Sequence, residues 1–320
     1  MTNKIFITGV PRSGTTFLGR TLAFSKDIIY LWEPFNEKYR KGIPDYYPFI
    51  SKNSSESKLR IYNKLIDNTI NFRELNSNVT VYEGDGFLKK NLKQIGLDWT
   101  FFRYKLAMIK KFFMKNRTTL IKDPIGIFLT EHLISEYDFK VVITMRHPAA
   151  IVNARKKLKW EFDFNWWEQQ KDLNKEHFSK IKSKYIGHLE EERLDVLDQS
   201  IIHWVTSYQY IENLKSKYPD NIFLVRHEDL CINPLTEFGK IFSFCGIEFN
   251  EKIKKKITKI TTGETIEKKT NVLANLERRK AEDLVYKWKK NTTEADLNRI
   301  KKLTYPIGVK YYNEKHYWEL

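Results

Sequence analysis

Short apolar runs alternate along this chain with stretches whose apolar residues recur at helical spacing. Ile5-Phe6-Ile7 stops at Gly9, and beyond a brief turn Phe17, Leu18, Thr21 and Leu22 repeat with the period of a helix. That order predicts strand, loop, helix. Ile28 to Leu31 reads as a second short strand, Thr118 to Lys122 and Lys140 to Met145 as two more, and Ile222 to Val225 as another. The runs at 118–122 and 140–145 are continuously apolar and separated by a helical segment near 125–136, as strands buried on both faces of a parallel sheet are. Helical periodicity marks 57–73, Thr100 to Lys115, Ile201 to Lys217 and Pro234 to Cys245; a further helix is expected to open after Thr293, with Asp296 in its first turn. Val79 to Tyr82 reads as a short strand broken by Gly84-Asp85-Gly86. The alternation predicts an α/β fold, a doubly wound parallel sheet flanked by helices, in one domain over residues 1–320.

Two stretches stand outside that alternation. Residues 36–78 begin turn-rich, with Gly42, Pro44 and Pro48, and read as a flexible loop leading into the helix at 57; residues 155–198 are charged and aromatic and read as a helical insertion. Trp160, Trp166 and Trp167 in the second either stack on a sugar or base or face the core, and the sequence weighs the two equally. Both insertions are expected to shape an acceptor site. Lys252 to Thr270 is polar and Lys-rich and reads as partly mobile.

In doubly wound sheets ligands sit at the carboxyl ends of strands, and Arg12, Lys122 and Arg146 all fall just past such ends. Gly9 and Gly14 bracket four residues, and Thr15 and Thr16 follow, a P-loop-type length that curls backbone N–H groups around a phosphate at a helix N-terminus. The Walker pattern needs Lys directly after the second glycine; Thr15 stands there, and the cation of the loop is Arg12. A kinase or NTPase using ATP and Mg²⁺ is therefore the disfavoured alternative. After the next strand, Pro34 biases Glu33 toward an extended backbone.

Pro11-Arg12-Ser13-Gly14-Thr15-Thr16-Phe17 after a strand resembles the phosphosulfate loop of sulfotransferases that use 3′-phosphoadenosine-5′-phosphosulfate (PAPS). Glu33-Pro34-Phe35, Lys122-Asp123-Pro124, Met145-Arg146-His147-Pro148 and Val225-Arg226-His227-Glu228-Asp229-Leu230 extend the resemblance over most of the chain. It implies that Arg12, Ser13, Gly14, Thr15 and Thr16 hold the 5′-phosphate of PAPS and that Arg146 reads the 3′-phosphate, with adenosine 3′,5′-bisphosphate as product and no metal. Where the family has a Ser eight residues after that Arg, this chain has Ala154, with Asn153 beside it as the candidate substitute; Arg278 and Arg279, ahead of Trp288, would close over the 3′-phosphate. For catalysis the resemblance implies Arg12 at the leaving group and Glu33 as base, with His132 and His147 as alternative bases. Lys122 is expected either near the transferring group and acceptor or paired with Asp123 at the surface. The acceptor is expected to be a hydroxyl on a small molecule or glycan.

Composition narrows the partners only slightly. The formal charge is +16, from 56 basic against 40 acidic side chains, a field that suits an anionic donor, an anionic glycan or a membrane surface. It also suits nucleic acid, the third class of reading, although no nucleic-acid motif accompanies it. Cys231 and Cys245 match no zinc spacing and sit in apolar contexts, so small buried side chains are expected. No apolar run is long enough to span a bilayer, and the first strand begins within a few residues. A soluble, cytoplasmic, bacterial-type enzyme is the expectation, with peripheral membrane contact left open.

Overall fold

A computed structural model describes residues 3–78, 91–93, 98–114, 116–185, 194–262 and 281–320. Among the described residues, five parallel strands form a sheet: β1 (Lys4–Thr8), β2 (Ile28–Trp32), β3 (Thr118–Lys122), β4 (Lys140–Met145) and β5 (Ile222–Arg226), in the order β2-β3-β1-β4-β5. The register places Ile7 beside Lys122 and Val142, Trp32 beside Lys122, and Met145 beside Arg226, so the carboxyl ends of all five strands share one edge. The chain leaves β1 in one direction and later returns to its other side with β4. The crevice between those two strand ends is the switch point where such sheets bind ligands.

Alternation along each strand divides the interior in two. Phe6, Leu31, Ile121, Val141 and Ile143 belong to one core; Ile5, Ile7, Leu120, Val142 and Val225 belong to the other. A period of two, buried on both faces, is why these segments read as continuous apolar runs. The smaller core is covered by α1 (Thr15–Leu22) and by later helices. The larger is covered by α2 (Glu56–Ile70), α3 (Trp99–Phe113), α4 (Thr130–Ser135), α5 (Pro148–Leu158) and α6 (Val196–Lys217), the last buried along most of its length. Ser55, Asp98 and Asp195 cap α2, α3 and α6 by accepting N–H bonds from Lys58, Phe101 and Asp198. After β5 come α7 (His227–Ile232), α8 (Pro234–Phe244), α9 (Glu251–Thr262) and α10 (Glu294–Gly308). Thr293 caps α10 by accepting from the Asp296 N–H at 3.1 Å, as its spacing predicts.

Several expectations are corrected. Residues 36–55 are irregular but packed, not flexible: Ile43, Tyr47, Phe49 and Ile50 are buried, and buried Arg40 donates to Pro34 O and Thr69 Oγ1. Residues 155–198 are not one insertion, because α5 runs into the stretch and α6 begins inside it; between them lie short helical turns from Asn165 to Tyr185. Lys252 to Thr262 belongs to α9, which seats Ile253 and Ile257 in the smaller core. That apolar spacing of four was hidden among lysines. The strand expected at Val79 to Tyr82, the glycines after it, and residues 263–270 lie outside the described residues.

Candidate active site

β1 ends at Thr8 and the chain turns at once. Gly9 has a φ of +150°, and a Cβ there would lie 2.3 Å from the Thr144 carbonyl oxygen; Gly14 has a φ of +102°, and a Cβ there would lie 2.4 Å from His227 Nδ1. Only glycine fits either place. Between them Arg12 adopts a φ of +79°, which costs a side-chain-bearing residue on the order of 1–3 kcal/mol. Gly14 caps α1 without any side-chain bond, so the N–H groups of the first helical turn, from Thr15 onward, lack partners within the helix and present its positive end. Thr15, Thr16 and Arg12 line the adjoining cleft. Amides, hydroxyls and a guanidinium make this an anion site.

Ser13 does not serve that site as expected. Its N–H donates to Val10 O at 2.9 Å, and its hydroxyl hydrogen-bonds Thr144 Oγ1 at 2.7 Å. Both groups are spent on closing the loop, so Ser13 shapes the cradle.

Arg146, just past β4, donates from Nη1 to the Arg12 carbonyl at 3.1 Å, while its own carbonyl accepts from Trp204 Nε1 at 2.9 Å. Loss of surrounding water, and then the nearby charge of Arg146, lower the Arg12 pKa. An anion between the two guanidinium groups would relieve that repulsion.

On the other side of β1, the pairing of Trp32 with Lys122 makes Glu33 and Asp123 leave the sheet side by side. Lys122 is only 1% exposed; its Nζ pairs with Glu33 Oε1 and lies 5.3 Å from the Trp32 ring centroid. Asn36 Nδ2 donates to Glu33 Oε2 at 2.9 Å. Of the two expected positions for Lys122, the surface pair with Asp123 is not formed. Asp123 is fully buried instead, accepting from the Phe35 and Ile125 N–H groups at 2.7 and 3.0 Å. Burial first, and the charge of Glu33 second, push its carboxyl well above the usual range.

Glu33 itself takes a φ of +47°, not the extended backbone that Pro34 favours. Its N–H donates to Lys122 O at 2.8 Å, and its carbonyl accepts from Tyr104 OH at 3.2 Å. Those bonds, with Asp123 holding Phe35, override the local preference.

The other expected site residues divide sharply. Asn153 uses its amide nitrogen on Trp288 O at 2.9 Å and Thr292 Oγ1 at 2.7 Å, and the acceptor oxygen that is left cannot donate to a phosphate. Its expected substitution for the family's Ser is therefore not supported. His132 bonds Asn63 at 2.7 Å and is absent from the cleft wall. His147 is fully buried, stacked 4.6 Å from Trp288, and held near pKa 3 by burial and then by Lys289 and Arg146. Neither histidine is placed to take an acceptor proton. Arg278 and Arg279 lie outside the described residues.

Loop 9–16 and the Glu33–Lys122 pair open onto one cleft of about 310 Å³, whose wall adds Asn36, Tyr46, Tyr47, Arg155, Trp160, Phe162 and Trp166. Both irregular stretches, 36–55 and 160–178, therefore reach it. Of the three tryptophans, Trp167 is core while Trp160 and Trp166 line the cleft. Arg155 was missed. It is buried, donates to His203 Nδ1 at 3.0 Å and sits over the Phe162 ring at 5.6 Å, and burial lowers its pKa. A cation four residues after Ile151, on the buried face of α5, was the available signal. A larger groove along α2, about 660 Å³, holds none of these groups.

The sulfotransferase family pattern matches residues 4–251. Among solved structures, a sulfotransferase domain from the curacin biosynthetic pathway is 15% identical, with a TM-score of 0.44 over 94% of this chain and 97% of that one. A sulfotransferase domain from the olefin synthase of Synechococcus PCC 7002 is 17% identical, with a TM-score of 0.44 over 94% of each chain. A mouse sulfotransferase complexed with PAP is 13% identical, with a TM-score of 0.43 over 98% of this chain and 86% of that one. No curated protein matches the chain. With the family pattern spanning well over half its length, the chain belongs to the sulfotransferase family.

Proposed function

We propose that this protein, as a single domain, transfers the sulfuryl group of PAPS to a hydroxyl of a carbohydrate acceptor. One observation carries the reading: an anion cradle with Arg12 at its mouth, and a carboxylate–ammonium pair, face a single cleft walled by aromatic rings. PAPS would supply an activated sulfuryl group on a phosphate leaving group. Amides of the first turn of α1 and the hydroxyls of Thr15 and Thr16 suit its 5′-phosphate; Arg146 suits the 3′-phosphate through paired guanidinium bonds.

Arg12 lies at the mouth of the cradle, its guanidinium 5.8 Å from the Trp160 ring centroid, where it would meet charge growing on the leaving group. Glu33 takes the acceptor proton. Lys122 and Asn36, one on each carboxylate oxygen, fix the direction from which it does so. Tyr46, Trp160 and Trp166 offer faces for the apolar side of a sugar ring, and Arg155 offers a buried cation for a polar substituent. The free, buried Cys231 and Cys245 support a reducing compartment, the cytoplasm. Among the described residues no helix is long and apolar enough to cross a membrane.

Calorimetry with adenosine 3′,5′-bisphosphate and with ATP–Mg²⁺, followed by labelled PAPS against a glycan panel, tests the reading. Tighter binding of the bisphosphate and label on a glycan are expected. Preference for ATP–Mg²⁺, or labelling confined to non-carbohydrate hydroxyls, would overturn the donor or the acceptor assignment respectively.

A further inference from the structure

α3 is packed the wrong way round for an ordinary amphipathic helix. Its inward face is Thr100, Tyr104 and Ala107, two of them small. At about 100° per residue, Trp99, Phe102, Leu106, Ile109 and Phe113 fall within an arc of about 80° on the other side. All five are exposed, Trp99 by 69% and Phe113 by 76%, so no described element covers the most apolar stripe of the helix. Exposed Lys105 borders the stripe on one side and Lys110 on the other. From Trp99 to Arg117 there is no acidic residue.

We propose that α3 is the seat of a reversible contact with an anionic lipid bilayer. The charge pattern selects that occupant. A soluble partner helix or a second copy would ask for a mixed or acid-complemented rim, whereas an apolar stripe with an aromatic at each end and lysines on both flanks matches a helix lying in the headgroup boundary of an anionic membrane. The net charge of +16 adds long-range attraction to the same surface. On the opposite side of α3, Tyr104 donates to the Glu33 carbonyl, and Arg103, at the edge of the stripe, lies 4.7 Å from the Trp32 ring centroid and 5.4 Å from that of Trp99. The helix that meets the bilayer thus also buttresses the loop carrying Glu33. A membrane-bound enzyme would hold its cleft near hydroxyls presented at that surface. The contact itself is independent of the sulfuryl-transfer reading.

Cosedimentation of the full chain with phosphatidylcholine vesicles, with and without phosphatidylglycerol, tests it directly. Binding to the anionic vesicles is expected, falling as salt is raised. The triple variant Phe102→Ser, Leu106→Ser, Phe113→Ser should stay in the supernatant with an unchanged circular-dichroism spectrum. Lys105→Gln with Lys110→Gln should lower the partition coefficient about fivefold for each charge removed and leave the fold untouched. Wild-type protein remaining in the supernatant with both vesicle types would overturn the proposal, as would a triple variant that pellets like wild type. A dimer in sedimentation velocity that the triple variant dissolves, together with no vesicle binding, would assign the stripe to a second copy instead.

Discussion

The two walls of the cleft are built from different materials. The wall proposed for the donor is backbone: glycine turns at Gly9 and Gly14, the open end of α1, and cations fixed to the ends of adjacent parallel strands. The wall proposed for the acceptor is side chains on irregular segments, which meet through ring contacts such as Tyr46–Trp166 and Tyr47–Phe162, through Ser51–Glu176 and Ser54–Asp172 bonds, and through one buried amide. Gln170 accepts from the Phe49 N–H at 3.2 Å and donates to the carbonyls of Tyr46, Tyr47 and Trp166 at 3.0–3.1 Å. Backbone geometry imposed by a sheet tolerates little change, whereas a wall of packed rings can be rebuilt ring by ring.

Arg12→Ala should break the donor wall most severely. Turnover should fall by about 10³-fold or more, as for other cations that meet transition-state charge, while the melting temperature stays near wild type. Purified variant turning over at a near-normal rate would remove Arg12 from the leaving group.

Glu33→Gln comes next, with a loss of roughly 10²–10⁴ in kcat. It also strands Lys122 in the interior without the carboxylate it pairs with, which should destabilise the fold by about 3–5 kcal/mol. The double variant Glu33→Gln, Lys122→Met separates the two effects. Stability should return and turnover should not; recovery of both would mean that Glu33 is structural.

Gln170→Ala sharpens the comparison from the acceptor side. Leaving its buried partners unsatisfied should cost about 1–3 kcal/mol. KM for the acceptor should rise while calorimetric affinity for adenosine 3′,5′-bisphosphate stays unchanged. Equal weakening of both ligands would show that the two walls are not independent.

The smallest effect at neutral pH, one that grows only on acidification, concerns His147, behind the cradle. Its folded pKa lies near 3 and its unfolded pKa near 6.5, so below pH 6.5 the unfolded chain takes up a proton that the folded chain does not. Stability is therefore lost as pH falls from about 6.5 toward 3, and the residue contributes nothing to the slope above that range. Relative to His147→Phe, wild type should lose about 1.4 kcal/mol per pH unit inside the window, read from urea melts at matched pH. A constant difference between the two proteins across that window would show that His147 is protonated in the fold.

The geometry of the cradle was largely legible in the sequence, because its parts are local: a strand end, two glycines at fixed separation, and hydroxyls opening a helix. Ser13 is the instructive exception. Its place in the motif was readable, but the bond to Thr144 depends on β4 lying against β1. Asn153 failed for the same reason, since the segment that occupies its amide is more than a hundred residues away. Arg155 and Gln170 gave almost no signal, because Arg155 meets its partner His203 only where α5 packs on α6, and Gln170 acts only where 36–55 and 160–178 meet.

By itself, then, the sequence determined the strands, most helices, the cradle at residues 9–16 and the strand-end cations, all of which follow from periodicity and from short motifs that one segment completes alone. Tertiary structure decided which groups meet. It paired Lys122 with Glu33 rather than Asp123, turned Glu33 out of its locally preferred backbone, and divided the three tryptophans between core and cleft. It also decided between two Lys-rich amphipathic helices, burying the isoleucines of α9 while covering the aromatic stripe of α3 with no described element. Periodicity gives a helix two faces; only the surface already present at its docking position decides which of them is covered.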